Sequence, residues 1–196
     1  MIKGLYTSAS GMLPQVKKRE ITANNVANAG VTGFKKDRLF TKELSRAEIR
    51  QIKTKPDWQK AMVNSTFVDY SPGVFDRTGN PLDMAIDGDG FFQLQYPDGS
   101  TVYSRDGAFK ISGEGRVVIS DGFFLLPEVS IPDGAVSITV GIDGVMAVLI
   151  FGQDEPVEVG QIESARSINP AGLNALGRNL YQVTRRTNRG IHKSKK

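Results

Sequence analysis

Cysteine is absent from the 196-residue chain. Disulfides and thiolate-bound zinc are therefore excluded, and the redox compartment stays open. Histidine occurs once, at position 192, so a Ser-His-Asp triad inside an ordered domain is not available. Long apolar runs are missing as well. The most apolar one, Val145 to Phe151, falls far short of the roughly 20 residues that a membrane-spanning helix needs. The N-terminal MIKGLYTSASGML lacks the apolar core of a secretory signal, so passage out of the cytosol needs another route. Acidic residues, finally, stop at Glu163. The eight Lys and Arg beyond it exceed the whole net charge of +4, which leaves residues 1–163 at −4. The basic character belongs to the C-terminal end.

The remaining candidates for chemistry are weak. Asp83, Asp87 and Asp89 fit neither register of a calcium loop. Counted from Asp83, the third and twelfth positions are Ala85 and Leu94; counted from Asp87, the sixth is Phe92 where glycine belongs. Hairpin turns explain these aspartates better. Gly88-Asp89-Gly90 has no third glycine of a dinucleotide loop, and no P-loop occurs. Asn64-Ser65-Thr66 matches a glycosylation sequon, a pattern short enough to arise by chance. The chain is expected to be no enzyme and to need no cofactor or metal. Its basic end, RRTNRGIHKSKK, has no interleaved aromatics. A solvated, disordered tail is expected there, and no nucleic-acid partner.

Glycine, by contrast, is abundant, and Asp-Gly recurs at 87–88, 89–90, 98–99, 106–107, 121–122, 133–134 and 143–144. Between these pairs lie FFQLQY, TVYSR, AFKIS, RVVIS, FFLL, VSITVGI and GVMAVLIF. Short apolar runs punctuated by Asp-Gly turns spell an all-β module. Upstream the pattern changes. Ile2, Leu5, Ala9, Met12 and Val16 follow 3-4-3-4 spacing, one narrow helical stripe that Ala23, Val26 and Ala27 continue roughly in phase. Pro14 interrupts it. Either a helix starts just before Pro14, or a longer helix kinks there. Gly30 stands where a helix C′ glycine belongs, and Thr32-Gly33 supplies a second turn.

The end of this helix, ITANNVANAG, is unusual. Asparagine is a mediocre helix former, yet Asn24, Asn25 and Asn28 crowd adjacent faces of the last turns. Their amides either bond a neighbouring helix or exposed carbonyls, or form a solvated face at a fraying end. Residues 38–75, with Pro56 and NSTFVDYSPG, read as an extended or hairpin-like connector. The expected fold is mainly β with an N-terminal α-helix. A helix and turn occupy 1–33, an extended connector 34–75, a β-rich domain 76–184 and the basic tail 185–196.

Five separated stretches, GLYTSASGM, ITANNVANAGVTGFKKD, GNPLDMAIDGDGFFQL, YSRDGAF and NPAGLNALGRNLY, occur in the order found in flagellar basal-body rod proteins. Over residues 2–184 the chain resembles that family. The SPGVFDRTGNPLD spacing and the late NPAGL segment resemble its distal-rod branch. The resemblance implies a structural subunit that self-assembles as a homo-oligomer in a helical rod, the driveshaft for flagellum-dependent motility. It implies a place in the periplasm-spanning rod of the basal body, neighbouring rod and hook proteins as partners, and exit through the flagellar type III export apparatus. Terminal helices would form an axial inner layer and the β-rich domain an outer one. Carried onto this chain, Ile2, Leu5, Ala9, Met12 and Val16 would face a partner helix. Asn24, Asn25 and Asn28 would bond within or between subunits; Gly30 and Gly33 would turn the chain outward, and Phe34 would anchor it. Family members continue for several dozen residues, with a final amphipathic helix, past the point matching Val183-Thr184. The resemblance therefore implies C-terminal truncation. The competing expectation is a β-rich adhesion or binding module that uses its basic tail on an anionic surface.

Overall fold

The computed structural model describes residues 2–43, 62–184 and 191–194. The chain divides into two compact units, one of residues 1–31 and 35–70, the other of residues 32–34 and 71–196. Residues 44–61 of the expected connector, with Pro56, lie outside the described residues, as do 185–190 and the last two positions.

In the first unit a helix, α1 (Ile2–Ala27), continues unbroken through the position of Pro14. An interior proline deletes one backbone bond and costs about 3 kcal/mol. The long-helix reading therefore holds, and the ring of Pro14 is buried, which offsets part of that cost. Two strands, β1 (Asp37–Glu43) and β2 (Met62–Val68), pair antiparallel from Asp37↔Val68 to Glu43↔Met62. Both pack on α1. Up to residue 70 the expected connector is thus a hairpin built onto the helix rather than a free extension, because seven paired positions and the helix surface give its backbone partners.

In the second unit the seven apolar runs become β3 (Phe91–Gln95), β4 (Thr101–Ser104), β5 (Phe109–Ile111), β6 (Val117–Ile119), β7 (Phe124–Leu126), β8 (Ala135–Val140) and β9 (Val145–Ile150). Five more strands follow: β10 (Val157–Gln161), β11 (Ser164–Ser167), β12 (Asn174–Gly177), β13 (Leu180–Gln182) and β14 (Ile191–Ser194). A nine-stranded sheet has the order β12-β13-β4-β3-β7-β6-β5, and β11 bridges from β3 to β14. A smaller sheet has the order β10-β9-β8. Strand β3 is the hub. One edge pairs with β4, while the other is shared between β7 at Gln93–Gln95 and β11 at Phe91–Phe92.

The two sheets close over one core. Leu94, Val102, Leu125, Met146 and Val148 are fully buried in it, each contributing about 1.5–3 kcal/mol by leaving water. Phe92 meets Phe109 edge-on at 5.0 Å. On the opposite face of β3, Phe91 is buried edge-on against Tyr181 at 5.9 Å, and the Arg105 guanidinium lies 5.4 Å from its ring. A strand buried on both faces reads as a near-continuous apolar run; β3 departs from that at Gln93, which is buried although polar.

The basic tail departs from expectation. Residues 191–194, expected to be disordered, form β14 and pair antiparallel with β11 from Ser164↔Ser194 to Ser167↔Ile191. The reason is the free edge that β11 presents away from β3, a row of unpaired backbone groups that accepts a further strand whatever its side-chain charge.

Candidate functional site

Helix α1 has two faces. Gly11, Ile21, Asn25 and Asn28 are half-buried and Pro14 is buried; their 3-7-4-3 spacing places them on one side, toward the hairpin. The stripe read from the sequence is mostly the opposite side, with Val16 at its border with the hairpin. Ala9 is exposed, and Met12, Val16 and Val26 are 66, 51 and 71% exposed. The side chains of Ile2 and Leu5 lie outside the described residues. Where the helix meets the hairpin, Leu13, Val16, Lys17, Glu20, Leu39 and Thr66 line an open groove.

The asparagines divide the work at the helix end. Asn25 uses both ends of its amide: Nδ2 donates to the Asp37 carbonyl at 2.9 Å, and Oδ1 accepts from the Asp37 N–H at 3.0 Å. It behaves as one more strand residue at the base of β1 and fixes the hairpin to the helix. Asn28 Nδ2 donates to both the carbonyl and Oδ1 of Asn24, at 2.9 and 3.0 Å. With the Asn28 N–H on the Asn24 carbonyl and that of Val31 on Asn28, this closes the last turn. No left-handed cap is then required, and Gly30 is not in the left-handed region, contrary to its expected C′ role. Beside this clamp, Arg38 and Lys36 pair with Asp69 at 2.7 and 3.8 Å. Burial, and secondarily the charge of Asp37, pushes the Tyr70 phenol up to about 12.

The left-handed residue is Gly33, with φ of 68°. A Cβ there would come within 2.5 Å of the Asp106 nitrogen and 2.6 Å of the Arg105 carbonyl carbon, so only glycine fits the seat. Around it runs a closed ring of four hydrogen bonds. Thr32 Oγ1 donates to Asp106 Oδ1 at 2.8 Å, the Asp106 N–H to Ser104 Oγ at 3.0 Å, Ser104 Oγ to the Asn179 carbonyl at 3.0 Å, and Asn179 Nδ2 to the Thr32 carbonyl at 2.8 Å. Asn179 and its neighbour Arg178 are themselves left-handed, at φ of 57° and 52°. That turn aims the Asn179 amide at Thr32. Phe34, the expected anchor, is half-buried. Sequence reasoning singled out Thr32-Gly33 as a turn and Phe34 as an anchor, but missed that Ser104, Asp106 and Asn179 close a ring on Thr32. The available signal was their placement inside three of the five motif stretches.

Beside the ring, Arg105 Nη2 donates to the Gly88 carbonyl at 2.6 Å, holding the loop that carries the acidic cluster. The cluster does not lie in hairpin turns as expected: Asp83 forms an isolated bridge with Ala108, Asp87 precedes a bend and Asp89 lies in it, ahead of β3. Asp83 accepts from Thr78 Oγ1 at 2.7 Å and Asn80 Nδ2 at 2.8 Å, and Asp89 pairs with Arg166 at 3.2 Å. Among the described residues no group of acids and histidine is arranged to hold a metal.

Two family models match. One, described as flagella basal body rod protein, covers residues 5–35; the other, flagellar hook protein FlgE/F/G D1 domain, covers 85–148. The flagellar basal-body rod protein FlgG of Buchnera aphidicola subsp. Schizaphis graminum is 35% identical over 94% of this chain and 75% of its own length. That of Borreliella burgdorferi is 36% identical over 94% of this chain and 74% of its own. The chain belongs to the flagellar basal-body rod protein family. It is a structural protein of the bacterial flagellum, and its place is the rod of the basal body. The two matched stretches meet at the ring: Thr32 and Gly33 lie in the first, Ser104 and Asp106 in the second, and Asn179 in neither.

Proposed function

We propose that the protein is a subunit of the distal rod, which assembles with copies of itself into the helical axial tube, abuts neighbouring rod and hook proteins, and reaches its place through the flagellar export apparatus. The observation that carries self-assembly is the open apolar side of α1, where Met12 and Val26 face solvent away from the hairpin and Val16 is half exposed at the groove beside it. Such a stripe gains free energy when a helix of a neighbouring subunit covers it. Ile2 and Leu5 continue it by spacing. Asn24, Asn25 and Asn28 serve this interface indirectly, by fixing the helix end to the hairpin. The distal position is supported by SPGVFDRTGNPLD and NPAGL. No enzymatic step is assigned.

The test replaces Met12 and Val16 with lysine in a motile strain carrying this gene. Charge on already exposed positions changes subunit stability by about 0.5 kcal/mol or less. The purified variant should therefore melt like the parent, while rods and swimming are lost. Normal rod yield and motility in that strain would overturn the assembly reading.

A further inference from the structure

A turn needs only a residue that tolerates positive φ, and Gly33 with open space around it would have served. The structure shows more than that. Gly33 is pressed against the backbone of Arg105 and Asp106, and Thr32 is bonded on both its hydroxyl and its carbonyl to residues 74 and 147 positions away. Residues 32–34 belong to the second unit, whereas residue 31 before them and residue 35 after them belong to the first. Thr32 and Gly33 are thus taken out of their local sequence and held by groups from the turn after β4 and from the β12–β13 turn.

We propose that Thr32-Gly33-Phe34 is a clasp that pins the point where the chain enters and leaves the second unit, with Ser104, Asp106 and Asn179 as the positioning residues of its seat. Each member has a chemical requirement. Position 33 must lack a Cβ. Position 32 must carry a hydroxyl, because Asp106 Oδ1 also accepts from the Ala108 N–H at 3.1 Å and is oriented by it. Position 179 must donate from a side chain on a left-handed backbone, a conformation that asparagine adopts more readily than most residues. Ser104 is fully buried and relays between Asp106 and Asn179, so the ring is rigid on the seat side and breaks first at Thr32. Without the clasp residues 32–34 would be free linker; with it they are a fixed part of the second unit.

Lys35 and Lys36 follow the clasp directly, so tryptic nicking there reports its release, together with amide exchange at 33–35. On the purified full chain, Thr32→Val should speed nicking about fivefold, the loss expected for one hydrogen bond, and Thr32→Ser should restore the parent rate. Asn179→Ala should act like Thr32→Val, and Gly33→Ala should exceed tenfold, since a left-handed alanine and the overlap act together. The melting midpoint of the β unit should be unchanged in Thr32→Val, which separates release of the clasp from unfolding. In cells the same substitutions should lower swimming speed most under viscous load. Equal nicking and exchange in the parent, Thr32→Val and Asn179→Ala would overturn the clasp. The nicking assay requires no rods, so its failure is distinguishable from failure of the self-assembly reading, which the lysine substitutions on α1 address.

Discussion

The two units are stabilised in different ways. The β unit closes on itself: Leu94, Val102, Leu125, Met146 and Val148 have no accessible surface. The helix–hairpin unit has no such core: among its described residues only Pro14 is buried. Met12, Leu13, Val16, Val26, Phe40 and Phe67 remain exposed, and polar devices hold the unit together, chiefly Asn25 on the Asp37 backbone and Asp69 between Lys36 and Arg38. A closed core gives a domain that is stable alone. An apolar surface left open beside a polar clamp gives an element whose full stability depends on what covers it.

Substitutions should expose that asymmetry, starting with the strongest. Leu125→Ala removes a fully buried side chain and should cost about 2–5 kcal/mol, read as a lower thermal midpoint of the β unit with little change in helical circular dichroism. A comparable drop in helicity would mean that the units do not melt separately. Asn25→Ala leaves the Asp37 N–H and carbonyl without their partner, a loss of about 1–3 kcal/mol confined to the first unit. Amide exchange should rise in α1 and β1 and stay constant in β3 and β4. The Tyr70 phenol titrates higher in the folded chain than its ordinary 10, near 12, so the folded state holds that proton more tightly. The associated stability is complete below pH 10 and is lost as pH rises toward 12. Tyr70→Phe should flatten this alkaline slope in the first unit only, as followed by helix signal against pH. Smallest of all, Val16→Ala should shift the stability of the free chain by about 0.5 kcal/mol or less, because the side chain is already half in water.

Much of the β unit was legible because Asp-Gly turns are local signals. Each apolar run between two such pairs became one strand, from β3 to β9. The later strands were not legible. SARS and NALG carry no apolar alternation; β11 exists because β3 leaves part of an edge open, and β14 because β11 does. Those are consequences of topology, which a linear pattern does not carry. In the helix, spacing found the apolar stripe but could not say that the hairpin would take the other face, since Gly11, Pro14, Asn25 and Asn28 look like poor packing residues. The asparagines were conspicuous without being interpretable until Asp37 appeared opposite Asn25. At the clasp, Gly33 was visible as a turn. Its partners were not, because Thr32 and Asn179 stand 147 residues apart and meet only once the sheet has formed.

Hydrogen exchange on the intact chain, free in solution and incorporated into rods, tests the contrast between the two units most directly. Amides of β3, β4 and β9 should be equally protected in both states, while those of α1 from Met12 to Val26 should be only weakly protected in the free chain and become strongly protected in the rod. Equal protection of α1 in both states would show that its open face is not what assembly covers.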